Sequence, residues 1–224
     1  MPRLTTSSVF LRLRTVRNLL IALAIYLCNG AAMAGAYDDI IAAANTGDTA
    51  VVMGLLNRGM DVNTADSAGN TLLMLAVRDG YLTLMDALLV NRANINRRNQ
   101  FGDTALMLGA LKARLEPVRR LIDAGADLNG EGWTPLHYAI FGGHKEVIAL
   151  LIAKGAMLDA RAPNGQTALM LAVKLGALGL VQQLIDADAD MDLADFDGLS
   201  PLRLALKFGH GDIAAYLRSE GADE

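Results

Sequence analysis

Six aspartates fall within twelve consecutive positions near the C-terminus: Asp186, Asp188, Asp190, Asp192, Asp195 and Asp197. Hard oxygen ligands this closely spaced are the chemistry of a calcium site. As an EF-hand loop starting at Asp186, however, the run places Met191 where the sharp turn needs glycine and Asp197 where a bidentate glutamate closes the site. A solvated loop edge accounts for the same residues, and a calcium-modulated binder stands as an alternative. Three histidines, His137, His144 and His210, offer metal ligation or acid–base chemistry, but no ligand spacing joins them. The phosphate-binding, zinc-protease and nucleophile-elbow patterns are all absent. The serines after residue 35 are Ser67, Ser200 and Ser219, and the single cysteine is Cys28. No enzyme and no cofactor are expected.

The elements that carry these residues recur at a fixed step. Thr71, Thr104, Thr134, Thr167 and Ser200 are each preceded two positions earlier by glycine: Gly69, Gly102, Gly132, Gly165 and Gly198. A second glycine follows nine residues later at Gly80, Gly143, Gly176 and Gly209, where a helix must end, and Ala113 breaks this rule. An apolar pair comes seventeen residues after the first four anchors, at Leu88-Leu89, Leu121-Ile122, Leu151-Ile152 and Leu184-Ile185. A self-similar step of 33 residues marks a stack of helix pairs, each burying its apolar face on its neighbours. The anchor Thr or Ser is a helix N-cap, and Pro135 and Pro201 take the first helical position, where a missing N–H costs nothing. Small residues at Ala76, Gly109, Ala139, Ala172 and Ala205 permit close approach. The same spacing places a degenerate first unit at Asp38, with Ile40, Ala43, Gly47, Leu55, Leu56 and Gly59 in register.

Gly132 to Ala139 reads G-W-T-P-L-H-Y-A, and its T-P-L-H-x-A string resembles the ankyrin repeat. The resemblance covers about Tyr37 to Glu224. It implies an all-α solenoid of six stacked helix-turn-helix units with short β-hairpin fingers: 35–66, 67–99, 100–129, 130–162, 163–195 and 196–224. The outer two are caps, the last marked by Arg203, Arg218, Ser219 and Glu220. In this family the slots of His137, His144 and His210 are structural. Met74, Met107 and Met170 take the place of His137 in other units. Equivalent positions on stacked helices lie about 8–10 Å apart, too far for sulfur ligands to share an ion at about 2.3 Å.

The resemblance also implies a partner-binding face made of the fingers and inner-helix ends. The slots concerned hold Phe101, Leu111, Lys112, Trp133, Phe141, Lys174, Leu175, Phe196, Leu199, Lys207 and Phe208, an apolar strip rimmed by lysines. Leu111, Phe141 and Phe208 are the strongest contact candidates, and Trp133 is divided between packing and contact. The step from Thr104 to Thr134 is 30 residues, so one finger is three residues short.

Residues 1–34 read as a signal peptide: Arg3, Arg12, Arg14 and Arg17, an apolar run from Leu19 to Cys28, and the small-residue site Ala32-Met33-Ala34 before Gly35. An uncleaved membrane anchor is the alternative. Removing its four arginines from 20 cationic residues leaves sixteen against 24 acidic ones, a charge of about −8. That field disfavours nucleic acid. The remaining chain holds no cysteine, which fits a bacterial periplasm. The expectation is a monomeric, periplasmic, non-catalytic module that binds an exported protein, as an accessory or immunity factor. A membrane-tethered scaffold is the rival function, and secretion or anchoring in the inner membrane are the alternative locations.

Overall fold

The computed structural model describes residues 35–222, so the signal-peptide reading falls outside the described residues. Among the described residues twelve helices follow one another: α1 (35–46), α2 (Thr49–Leu56), α3 (Leu72–Asp79), α4 (Leu82–Val90), α5 (Ala105–Leu111), α6 (Leu115–Asp123), α7 (Pro135–Gly142), α8 (Lys145–Ala153), α9 (Ala168–Lys174), α10 (Leu178–Ile185), α11 (Pro201–Phe208) and α12 (Gly211–Ser219). From α3 onward each odd-numbered helix pairs with the next, and the odd-numbered helices pack on one another as an inner row. Six helix pairs stack in sequence order, as the 33-residue step requires.

Local chemistry starts every inner helix from α3 to α11. Met74 N–H donates to Thr71 Oγ1 at 3.3 Å, and Thr104, Thr134, Thr167 and Ser200 cap their helices likewise. Each cap satisfies an orphan N–H of the first turn, worth about 1 kcal/mol. Asp38 departs from the pattern: it lies inside α1 and not at an N-cap. The inner row buries Leu73, Leu106, Leu136, Leu169 and Leu202 almost completely, each stabilising by about 1.5–3 kcal/mol. A Cβ on Gly109 would lie 2.9 Å from Val77 and 3.1 Å from Val118, so the close approach of α3, α5 and α6 depends on a bare backbone there.

Ala113, where the sequence lacks its turn glycine, takes φ +55° and so adopts the left-handed turn without glycine. The fold imposes the reversal because α5 and α6 must still fold back on each other.

The fingers carry less strand than expected. Among the described residues the structure forms a single isolated antiparallel bridge, Ala65 with Thr71. Three further fingers are closed by two backbone bonds each: Asn99 N to Asp103 O with Gly102 N to Asn99 O, Ala162 N to Gln166 O with Gly165 N to Ala162 O, and Asp195 N to Leu199 O with Gly198 N to Asp195 O. Their loops are too short for a ladder. Side chains join one finger to the next, with Arg98 donating to the carbonyls of Gly102 and Glu131, and Arg161 to those of Gly165 and Ala194.

The loops that lead out of each helix pair are tied by a second device. Asn94 N–H donates to Asn63 Oδ1, Asp127 N–H to Asn96 Oδ1, Met157 N–H to Asn129 Oδ1 and Asp190 N–H to Asp159 Oδ1, at 2.7–3.0 Å. The aspartate run is part of this ladder. Asp190 also accepts from Asp192 N–H, and Asp195 accepts from the N–H groups of Asp197 and Leu199. Among the described residues no group of three or more His, Cys, Asp or Glu side chains is placed to hold a metal ion. No described helix is long and apolar enough to cross a membrane.

Candidate protein-binding surface

His137, in the third position of α7, is buried. Its Nδ1 takes the Thr134 N–H at 3.3 Å, and its Nε2–H donates to the Gln166 carbonyl at 3.2 Å in the next finger. Burial pushes its pKa below the ordinary imidazole range. Met74 and Met107 reproduce half of this arrangement, since their thioethers accept the N–H of Thr71 and Thr104 at 3.4 Å. The shared slot is therefore a second cap, filled by a nitrogen or a sulfur acceptor.

His144 and His210 belong to another ladder. The side chain just after each turn reaches back to the carbonyl near the end of the preceding inner helix: Tyr81 to Asn45, Arg114 to Arg78, His144 to Leu111 and His210 to Lys174. At the fourth junction the residue is Ala177, which has no side-chain donor. Among the described residues the Phe141 carbonyl has no hydrogen-bond partner.

Phe141 is exposed and also borders an apolar depression. Leu111, Trp133, Tyr138 and Phe141 line an open groove of about 230 Å³. Trp133 meets the other two rings edge-on, at 5.6 Å from Tyr138 and 6.3 Å from Phe141 between centroids, the tilted geometry that aromatic quadrupoles favour. The short fourth finger delivers Trp133, and α7 delivers the other two rings. Trp133 is half-buried against the core and also forms a groove wall, so it serves both roles.

Tyr138 was not among the sequence candidates. It stands three residues before Phe141, on the same helical face, and that spacing is the signal that could have found it. Its hydroxyl donates to the buried Asp103 carboxylate, which also takes a hydrogen bond from Asn99. Burial first, and then this hydrogen bond, pushes the phenol well above its usual range. The ring is thereby fixed between two depressions, the groove and an adjacent cavity of about 260 Å³ that includes Phe101.

The remaining candidates do not join into one strip. Phe101 and Phe196 stand at finger tips, 76% and 71% exposed. Phe196 lies over the backbone of Gly165, where a Cβ would come within 2.7 Å of its ring. Leu199 is half-buried against the core. Leu175 and Lys207 are exposed at helix ends. Phe208, 46% exposed, stacks on His210 and receives Lys174 Nζ at 5.8 Å from its ring centroid. Lys174 also donates to Gln166 at 3.2 Å. Lys112 is exposed at the end of α5 beside Leu111. Two apolar foci result, a groove between the third and fourth units and a smaller one around Phe208.

A family model of ankyrin repeats matches the chain in three overlapping copies, at residues 37–99, 73–162 and 157–224. Among curated proteins the chain is 34% identical over 184 residues to neurogenic locus notch homolog protein 1 of Xenopus tropicalis, covering 74% of this chain and 7% of that protein. It is 33% identical over 183 residues to the human protein of the same name, covering 74% and 7%. To human neurogenic locus notch homolog protein 2 it is 33% identical over 184 residues, covering 73% and 7%. The chain thus corresponds to a small part of the length of these relatives.

Proposed function

The chain belongs to the ankyrin-repeat family, a family of protein-interaction modules that typically carry no catalysis, and from that premise we infer that it is a periplasmic binding protein for an exported partner. Its role is that of an accessory or immunity factor: it holds a second protein and performs no chemistry on it. The observation that carries the binding reading is the groove of Leu111, Trp133, Tyr138 and Phe141, in which exposed Phe141 stands beside two half-buried aromatic rings and a half-buried leucine. Exposed aromatic clusters of this kind act as interface anchors. The export reading is supported by the basic, apolar and small-residue pattern of residues 1–34 and by the absence of cysteine after Cys28.

The test is affinity capture of the tagged full-length chain from its own host, with mass spectrometry of bait and prey, beside a variant carrying Leu111→Ser, Phe141→Ser and Phe208→Ser. The reading requires a bait beginning at Gly35 and a specific exported protein that the variant loses. A bait retaining residues 1–34 and recovered only with detergent overturns periplasmic release. Prey held equally by the variant overturns the groove.

A further inference from the structure

The exposed ends of the inner helices differ in charge from the rest of the molecule. The two residues at each helix end, in chain order, are Asn45 and Thr46, Arg78 and Asp79, Leu111 and Lys112, Phe141 and Gly142, Lys174 and Leu175, and Lys207 and Phe208. Arg78 and Asp79 pair with each other at 2.6 Å and cancel. Lys112, Lys174 and Lys207 form no ion pair within 4 Å among the described residues, and this row holds no other acid. A chain with an overall excess of acidic residues thus presents a row with three lysines and a net positive charge, in which Lys112 is the one that also feels Asp79, and the row passes through the aromatic groove.

The geometry points to an acidic, extended segment of the partner as the occupant of this row, with one apolar side chain seated among Leu111, Trp133, Tyr138 and Phe141. This rests on the reading of that groove as the docking face. Charge complementarity of this kind fixes register and speeds encounter more than it adds affinity. Neighbouring inner helices lie about 8–10 Å apart and an extended chain advances about 3.3 Å per residue, so each repeat spans about three residues of the segment. Carboxylates facing Lys174 and Lys207 are therefore three residues apart, with the apolar anchor about three residues before the first. A further carboxylate facing Lys112 lies on the other side of the anchor.

The probe is a fluorescently labelled synthetic peptide of about ten residues, with aspartate at its first, seventh and tenth positions, leucine at its fourth and alanine elsewhere. Anisotropy is measured with the full-length protein at low and at physiological salt, with a lysine-for-aspartate peptide and an alanine-for-leucine peptide as comparisons. The expected result is saturable binding of the acidic peptide that weakens with salt, at least about tenfold weaker binding of both comparison peptides, and a similar loss with Lys112→Gln, Lys174→Gln and Lys207→Gln combined. Lys207→Gln alone, at an exposed site, is expected to lose severalfold with unchanged melting. Equal or tighter binding of the lysine peptide, undiminished binding by the glutamine variants, or no binding of the acidic peptide at about millimolar concentration overturns the proposal. Undiminished binding by Phe141→Ser instead overturns the groove reading beneath it.

Discussion

His144 Nε2–H donates to the Leu111 carbonyl at 2.8 Å, so the start of one repeat's second helix closes the end of the preceding repeat's first helix. Four such bonds bridge the stack, and the series breaks only where Ala177 stands opposite Phe141. His144→Ala is expected to lower unfolding free energy by about 1–2 kcal/mol, the cost of leaving that carbonyl unmatched. Ala177→His is expected to raise it by about 0.5–1 kcal/mol. Urea midpoints measure both, and a neutral pair would show that these bonds contribute nothing net.

Ala113 holds φ +55°, a conformation that glycine adopts without steric cost. Ala113→Gly is expected to stabilise the protein by about 0.5–1 kcal/mol, after allowing for the greater freedom glycine gains in the unfolded chain. A destabilised variant on thermal melting would show that the methyl group packs favourably enough to outweigh the strain.

Burial keeps the His137 imidazole neutral in the folded state below its usual pKa. The unfolded chain takes up a proton there at a pH where the folded chain does not, so stability falls as pH drops below about 6.5. His137→Met imports the residue used at Met74 and Met107 and removes that titration. Denaturation at pH 7 and pH 5 is expected to show a smaller loss in the variant than in the parent, and equal losses would place the acid sensitivity elsewhere.

Gly165 and Gly198 have nearly the same backbone, φ +79° and +76°, but differ in surroundings. A Cβ on Gly165 would come within 2.7 Å of both the ring and the backbone nitrogen of Phe196, whereas one on Gly198 meets open space. Gly165→Ala is therefore expected to cost about 1–2 kcal/mol more than Gly198→Ala, which suffers only the left-handed strain. Equal costs in chemical denaturation would show that adjacent fingers do not press together in solution.

Phe141 is 59% exposed, whereas Leu136, on the same helix, is fully buried. Phe141→Ser is expected to change stability by no more than about 0.5 kcal/mol, and Leu136→Ala to cost about 2–5 kcal/mol. Comparable losses in the two would return Phe141 to the core and remove the groove's outer wall from the binding face.

The repeat register, the threonine caps, the buried leucines and the small residues of the inner row were all legible in sequence. They recur because each repeat solves the same local problem of starting a helix and burying one face. The individual aromatic positions at Phe101, Trp133, Phe141, Phe196 and Phe208 were legible for the same reason. Their grouping was not. Tyr138 enters the groove because its hydroxyl is held by Asp103 from the preceding finger, and Phe196 is drawn away to cover Gly165. The missing bond at Phe141 depends on comparing junctions that lie about one repeat apart. The sequence determined the array, since a 33-residue period and its caps act within each unit. The tertiary structure alone decided which side chains of different repeats meet, because those contacts depend on how far each unit approaches the next.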